Sequence, residues 1–288
     1  MNKVGIYYAY WTRDWDADFV PFVGRVRKLG FDILEVNAGT VANMSDAERG
    51  RLKSAADEHG ITLTYCIGLT APYDLSSENA SVRRAGIEFL ARMAKTIGAM
   101  GGDTLGGIIY AAWPGKMPEG VTDKRPYLDR SVASMREAVK AAEDAGVNFN
   151  VEVVNRFEQF LLNTAAEAVD YVRRVDSPRS KILLDTFHMN IEEDSFEGGI
   201  NAAGKKLGHF HLGETNRRPP GEGKMAWNSI FPALRSIGYG GHVVMEPFLI
   251  PGGQVGRDIS IYRDMSIGVD LDSAAARSAA FVRKGLGE

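Results

Sequence analysis

Four residues able to hold a cation fall at regular distances in the second half of the sequence: Glu152 in VEVVNRFE, Asp185 in LLDTFHMN, His211 in GHFHLGE and Glu246 in VVMEPF. They lie 33, 26 and 35 residues apart, about one strand-plus-helix unit each. Each stands at the end of a strand-like run. A carboxylate buried alone is expensive, and four such groups converging are most cheaply satisfied by a divalent metal ion. Three carboxylates with one imidazole form a hard, oxygen-dominated set that favours Mn²⁺, Mg²⁺ or Co²⁺ over a structural zinc. Any one of the four alone reads as a cap or an ion-pair partner. The regular spacing of all four carries the metal reading.

The neighbouring groups read differently. His209 lies two residues before His211 on the same strand face, so only His211 reaches the rim and His209 is expected as a satisfied interior histidine. His59 reads as a helix-end residue near the negative end of the helix dipole. His242 opens a strand far from the others and is given no role. Glu35 shares its strand face with Ile33 and Asn37 and can approach the floor of a pocket; its role stays open. Met189 is expected to pack.

The elements that must position these residues alternate along the chain. Strands are expected at Val4–Tyr8, Ile33–Val36, Leu63–Ile67, Thr104–Ile109, Phe149–Val154, Ile182–Leu184, Leu207–His211 and His242–Met245. Between and after them, helical spacing marks Asp16–Leu29, Ser45–His59, Val82–Met100, Asp129–Ala145 (stopping at Gly146), Ala165–Val175, Phe196–Ala203, Trp227–Ile237 and Ser273–Lys284,. Ser45 with Glu48 three residues on predicts a capping box, and an acid-rich loop is expected after Leu184. Eight such units imply parallel strands joined by crossovers. Shared over 288 residues, they give about 36 residues each, which suits a single (β/α)8 TIM barrel over residues 1–288. A doubly wound sheet would favour a glycine-rich phosphate turn after the first strand, and GIYYAYW contains none. In a barrel the C-terminal strand ends carry the site, which places the four candidate ligands on one rim.

Composition narrows the function classes. Hydrophobic residues make up 44% and charged residues 25%, an ordinary balance for a globular protein. Lys and Arg total 34 against 37 Asp and Glu, for a net charge of −3, with no block of like charge. That argues against nucleic-acid and anionic-membrane partners, which need a concentrated basic face. No apolar run approaches the ~18 residues of a membrane span. MNKVGIYYAYW leads straight into strand-like residues, so no signal peptide is expected. The single cysteine, Cys66, excludes an internal disulfide and any thiolate cluster, and a cytoplasmic location is the natural reading.

The segments VEVVNRFEQFLLNTA, LLDTFHMNIEEDS, LGHFHLGETNRRPPGEGK and VVMEPF, with GIYYAYW and GFDILEV near the start, closely resemble signature segments of the D-tagatose 3-epimerase / D-psicose (D-allulose) 3-epimerase family. The likeness spans nearly the whole chain. It implies a metal-dependent ketose 3-epimerase acting on a free ketose, on a (β/α)8 barrel, as a homodimer or homotetramer. It also implies that Glu152, Asp185, His211 and Glu246 hold the metal and that both glutamates handle protons. His188 and Arg217 would then hold the O2 region and Glu158 the O1 hydroxyl, with Tyr7, Trp15, Trp113 and Phe248 lining the pocket. Read without the resemblance, His188 is a loop histidine in water, Arg217 and Arg218 an exposed basic loop, and Glu158 a solvated acid. Most aromatics at strand ends are simply core.

The chemistry agrees with the resemblance. Inverting a hydroxyl-bearing carbon beside a ketone removes a proton from one face and returns one to the other, so two opposed carboxylates are the economical solution. A cation that polarises the carbonyl makes the proton acidic and stabilises the enediolate. An aldose–ketose or hydroxypyruvate-type isomerase on the same barrel could dispense with the second base. A metal-dependent endonuclease would need several metals, more histidines and a basic groove. A non-catalytic sugar-binding barrel has little reason to keep two opposed carboxylates on a metal. The segment IIYAAWPGKMPEGVTDKRPYLDR keeps the AWP element of the family but has a divergent Gly- and Pro-containing loop after the fourth strand, and the Cys66–Gly68 stretch is variable too. Both lie where the far end of the sugar would sit, so the preferred ketose stays open.

Overall fold

Short, almost wholly apolar strands alternate with amphipathic helices, and strands buried on both faces pair best in parallel beneath a cover of helices. In the computed structural model, which describes residues 2–288, the strands are β1 (Val4–Tyr7), β2 (Ile33–Asn37), β3 (Thr62–Cys66), β4 (Thr104–Gly107), β5 (Asn148–Val153), β6 (Ser180–Asp185), β7 (Leu207–Leu212) and β8 (His242–Met245). They form a closed parallel barrel in sequence order, with β8 returning to β1 through Val4↔Val243 and Ile6↔Met245. The (β/α)8 expectation therefore holds.

The helices are α1 (Val20–Lys28), α2 (Ala38–Asn43), α3 (Asp46–His59), α4 (Ala80–Ala99), α5 (Arg125–Ala145), α6 (Ala165–Val175), α7 (Thr186–Glu192), α8 (Phe196–Ala203), α9 (Trp227–Ser236), α10 (Gly253–Asp258) and α11 (Leu271–Leu286). The capping box at Ser45 and Glu48 is present, and α5 ends at Gly146 in the left-handed conformation, φ +73°, where a side chain would be strained. His59 closes α3 as expected. Among the described residues, no helix is long and apolar enough to cross a membrane.

Three local expectations change. The first helix starts at Val20 rather than Asp16, because Asp18 accepts the Val20 N–H and Pro21 opens the first turn,. The stretch after Leu184 is mostly helical: Thr186–Glu192 form α7, whose N-terminus is capped by the Asp185 carboxylate accepting from Phe187 N–H. Only residues 193–195, with Glu193 and Asp194, remain as a loop before α8. The short helices α2 and α10 fall below the length at which periodicity is readable.

At the rim, Gly107 adopts φ +110°, and a Cβ there would lie 2.1 Å from the Ile67 carbonyl. Only glycine permits the chain to pass so closely as it leaves β4 towards the pocket wall.

Candidate active site

The four candidate ligands meet. Glu152 lies near the end of β5, Asp185 ends β6, His211 stands next to last in β7, and Glu246 directly follows β8. Asp185 and His211 are paired in register. All four are buried, and one ligand atom from each lies within 4.8 Å of the others. His211 Nδ1 is 3.9 Å from Glu152 Oε1, 4.0 Å from Asp185 Oδ2 and 3.8 Å from Glu246 Oε1. Those contacts are too long for hydrogen bonds, and Nδ1 has no hydrogen-bond partner among the described residues. They suit donors sharing one cation, since ligands about 2.1 Å from an ion stand roughly 3–4 Å from one another.

The electrostatics are compatible with such an ion. Burial, then the charge of Glu246, pushes the Glu152 carboxyl well above its ordinary range. Burial also raises Glu246, to about 7, against the opposing pull of His211 and Arg217. Burial opposes the charged His211 imidazole, yet Glu35, Glu246 and Glu152 push it up to about 10. Acids crowded at this depth call for positive charge at the position Nδ1 faces. The residues fit a divalent ion.

Above this cluster opens a cavity of about 420 Å³, lined by both glutamates and by Tyr7, Trp15, Trp113, Glu158, His188, Arg217 and Phe248. Every residue expected at the substrate thus faces one space, while Asp185 and His211 lie outside its lining. Tyr7, Trp15 and Phe248 form an aromatic wall with ring centroids 6.2–6.4 Å apart, and Trp113 stands 6.5 Å from Trp15. The variable Cys66–Gly68 stretch and the Trp113-Pro114 pair, from which the divergent loop departs, form part of the same lining.

His188 is not a loop residue in water: it is buried in α7. Its Nδ1 accepts from the Asn155 backbone N–H at 3.2 Å and lies 2.7 Å from Asn155 Nδ2. A nitrogen that accepts from a backbone N–H carries no proton, so the ring's proton sits on Nε2. Burial, helped by the charges of Arg217 and His211, outweighs nearby acids and lowers its pKa, which favours the neutral ring. Nε2 is 3.5 Å from Arg217 Nη2 and 3.8 Å from Glu152 Oε1. Both His188 and Arg217 present donors here, so they converge on a shared acceptor rather than bond each other.

Arg217 corrects the exposed-loop reading. It is only 4% exposed, adopts φ +61°, and places Nη1 3.2 Å from Glu246 Oε2 and 3.4 Å from Asp185 Oδ2. Its guanidinium carbon lies 3.8 Å from the Phe187 ring centroid, a cation–π contact. The loop that carries it is organised by Glu214, a residue the sequence did not single out. Its fully buried carboxylate accepts from Gly221 N–H and Met225 N–H at 2.8 Å and from Trp227 Nε1 at 2.7 Å. Arg218, in contrast, is part-exposed.

Glu158 likewise is not a free solvated acid. It accepts from Trp113 Nε1 and Asn155 Nδ2, each at 3.0 Å. Burial raises its carboxyl, but the charges of His188 and Arg217 with these two bonds hold it below the ordinary range. Asn155, Phe187, Gln254 and Asp258 also shape the site without a sequence signal, because each acts through a tertiary contact. His209 is an interior histidine as expected, with Nε2 2.8 Å from Glu35 Oε2, though its Nδ1 has no partner among the described residues, and Met189 packs at 1% exposure. His242 lies at the opposite end of β8, near Thr104.

Comparison with known proteins agrees with this geometry. Residues 23–265 match the family model described as xylose isomerase-like TIM barrel. The D-psicose 3-epimerase of Agrobacterium fabrum is 46% identical over 99% of both chains. That of Ruminiclostridium cellulolyticum is 46% identical over 98% of this chain and 97% of its own. The crystal structure of D-psicose 3-epimerase with D-tagatose from Clostridium cellulolyticum H10 superimposes with a TM-score of 0.96, at 46% identity and 99% coverage of both chains. The chain belongs to the D-tagatose/D-psicose 3-epimerase family of xylose isomerase-like TIM barrels, enzymes of the carbohydrate-epimerase class.

Proposed function

We propose that this ketose 3-epimerase depends on a single divalent ion, Mn²⁺ or in its place Co²⁺ or Mg²⁺, held by Glu152, Asp185, His211 and Glu246. Its substrates are free ketohexoses, interconverted as C3 epimers of the D-fructose/D-psicose or D-tagatose/D-sorbose type. The observation that carries this reading is the pair Glu152 and Glu246: two carboxylates from β5 and β8, both lining a cavity of monosaccharide size,. Four relatives named as D-psicose or ketose 3-epimerases support the substrate class.

An ion held by these four residues would supply Lewis-acid positive charge that makes the proton next to the carbonyl more acidic. One glutamate removes that proton and the other delivers a proton to the opposite face, the roles exchanging with the direction of reaction. The His188 Nε2–H and the Arg217 guanidinium converge where O2 gathers negative charge, and being already oriented they need little reorganisation as it forms. Glu158, braced by Trp113 and Asn155, is placed to accept from the O1 hydroxyl. Tyr7, Trp15, Trp113 and Phe248 cover the sugar and exclude water.

The same proposal makes the protein a cytoplasmic homodimer or homotetramer, with neither nucleic acid nor membrane as partner. The test of function is to load the purified protein with Mn²⁺, incubate it with D-fructose and separate the products by chromatography. D-psicose is expected. An aldose as the main product overturns the reading in favour of C1–C2 isomerisation.

A further inference from the structure

Glu35 sits at the middle of β2, fully buried, and lies outside the cavity lining. It reaches across the barrel interior to β7. Its Oε2 accepts from Thr64 Oγ1 at 2.8 Å and faces His209 Nε2 at 2.8 Å. Its Oε1 lies 2.7 Å from His211 Nε2. That contact is short but bent, so neither Oε1 nor Nε2 has a directed hydrogen-bond partner among the described residues.

Glu35, Cys66 and His211 also come close enough together to suggest a second ion. The 2.7 Å approach of Glu35 to His211 rules against it, since two donors about 2.1 Å from one ion stand roughly 3 Å apart or more. The contact instead sets an acceptor oxygen against a ring nitrogen able to donate,.

Two unpartnered atoms at bonding distance on one side of the His211 ring, and an unpartnered Nδ1 facing three carboxylates on the other, form a single arrangement. A neutral imidazole has one N–H and one lone pair. If Nδ1 gives its lone pair to a cation, the proton must sit on Nε2, where Glu35 Oε1 is the waiting acceptor. His209 and Thr64 hold the other edge of the carboxylate, so Oε1 stays turned towards His211.

We infer that Glu35 is the positioning residue of the metal centre, holding His211 in the Nε2–H tautomer and in the orientation that aims Nδ1 at the ion. The inference rests on the metal reading above. Carboxylates placed behind ligating histidines in this way commonly carry a ten- to hundredfold share of metal affinity. Glutamine cannot replace Glu35, because both oxygens face N–H or O–H donors and an amide offers only one acceptor.

The test is Mn²⁺ binding, read from the EPR signal of the free ion, for wild type, Glu35→Gln and Thr64→Val, with metal-free melting temperatures measured alongside. Glu35→Gln is expected to bind Mn²⁺ about 10- to 100-fold more weakly, and its turnover should recover largely at saturating Mn²⁺. Thr64→Val, which loosens Oε2 alone, should weaken binding about threefold. Unaltered Mn²⁺ affinity in folded Glu35→Gln overturns the inference. Should Glu35→Gln not fold, Thr64→Val decides alone: weakened binding supports the inference and unaltered binding overturns it. Wild type that takes up no Mn²⁺ retires the metal reading itself, an outcome distinct from a wild type that binds and variants that bind equally well.

Discussion

The indole Nε1 of Trp15 donates to Asp258 Oδ2 across 2.7 Å, tying the segment after β1 to α10 after β8. The backbone strengthens the tie: Val255 N–H donates to Arg13 O at 2.8 Å, and Gln254 N–H to Asp14 Oδ1 at 3.2 Å. Because Trp15 and Asp258 line the same cavity, the bond fixes the tilt of the indole towards that cavity. Asp258 is exposed, so the bond is worth only about 1 kcal/mol. Asp258→Ala is expected to raise KM for D-psicose about two- to tenfold and leave kcat nearly unchanged, the mark of uniform binding. Asp258→Asn keeps an acceptor oxygen and should restore KM. A wild-type KM in the alanine variant would remove the tie from substrate binding.

Glu152→Gln and Glu246→Gln should each lose roughly 10²-fold or more in turnover, with metal content measured beside the rate because both also face the ion. For the wild type in D₂O, product should carry deuterium at C3 and nowhere else. Recovered substrate should label more slowly than product, because each carboxylate exchanges its proton with solvent at its own rate. Product that keeps its original C3 proton would point to one base, and deuterium at C1 to the C1–C2 isomerase.

Removing the ion should abolish activity, and Mn²⁺ or Co²⁺ should restore it; full activity after verified metal loss would end the metal reading. At 100 times its dissociation constant the ion should add about 2.7 kcal/mol of stability. The gain depends on pH. Without metal, the Glu246 carboxyl is pushed up to about 7 and the His211 imidazole to about 10. Both folded-state values are raised, so their contribution to metal-free stability is present at low pH and is lost as pH rises through them. The ion must displace those protons, and its binding therefore strengthens with pH. The rise in Tm on adding Mn²⁺ should be larger at pH 8 than at pH 6.

Arg217→Ala should cost far more than an exposed loop change. It leaves Asp185 and Glu246 facing each other without their guanidinium, and breaking a buried pair from one side typically costs roughly 3–5 kcal/mol. In metal-free protein Tm should fall markedly; with Mn²⁺ bound the fall should shrink, because the ion neutralises the same carboxylates. Thermal unfolding with and without Mn²⁺ measures both. Equal losses in the two states would show that Arg217 acts on the loop rather than on the acids.

Much of this protein is legible locally. The eight strand–helix units, the capping box at Ser45 and the stop at Gly146 follow from periodicity and from single-residue conformational preferences. The even spacing of Glu152, Asp185, His211 and Glu246 follows from the length of a βα unit, and a barrel converts that spacing into convergence on one rim. What the sequence could not show depends on contacts closed only when the barrel closes. Glu35 and His209 are 174 residues apart, and nothing near either announces that they meet across the interior. Arg217 lies in a polar, proline-rich stretch that reads as solvent-exposed. It is buried because the Glu214 carboxylate gathers the N–H groups of Gly221, Met225 and Trp227 and folds the loop inward. The proton of His188 is placed by Asn155, 33 residues away. Residue type and spacing determine which groups reach the rim; burial, tautomer and the direction of each polar atom are decided by neighbours that only the closed barrel supplies.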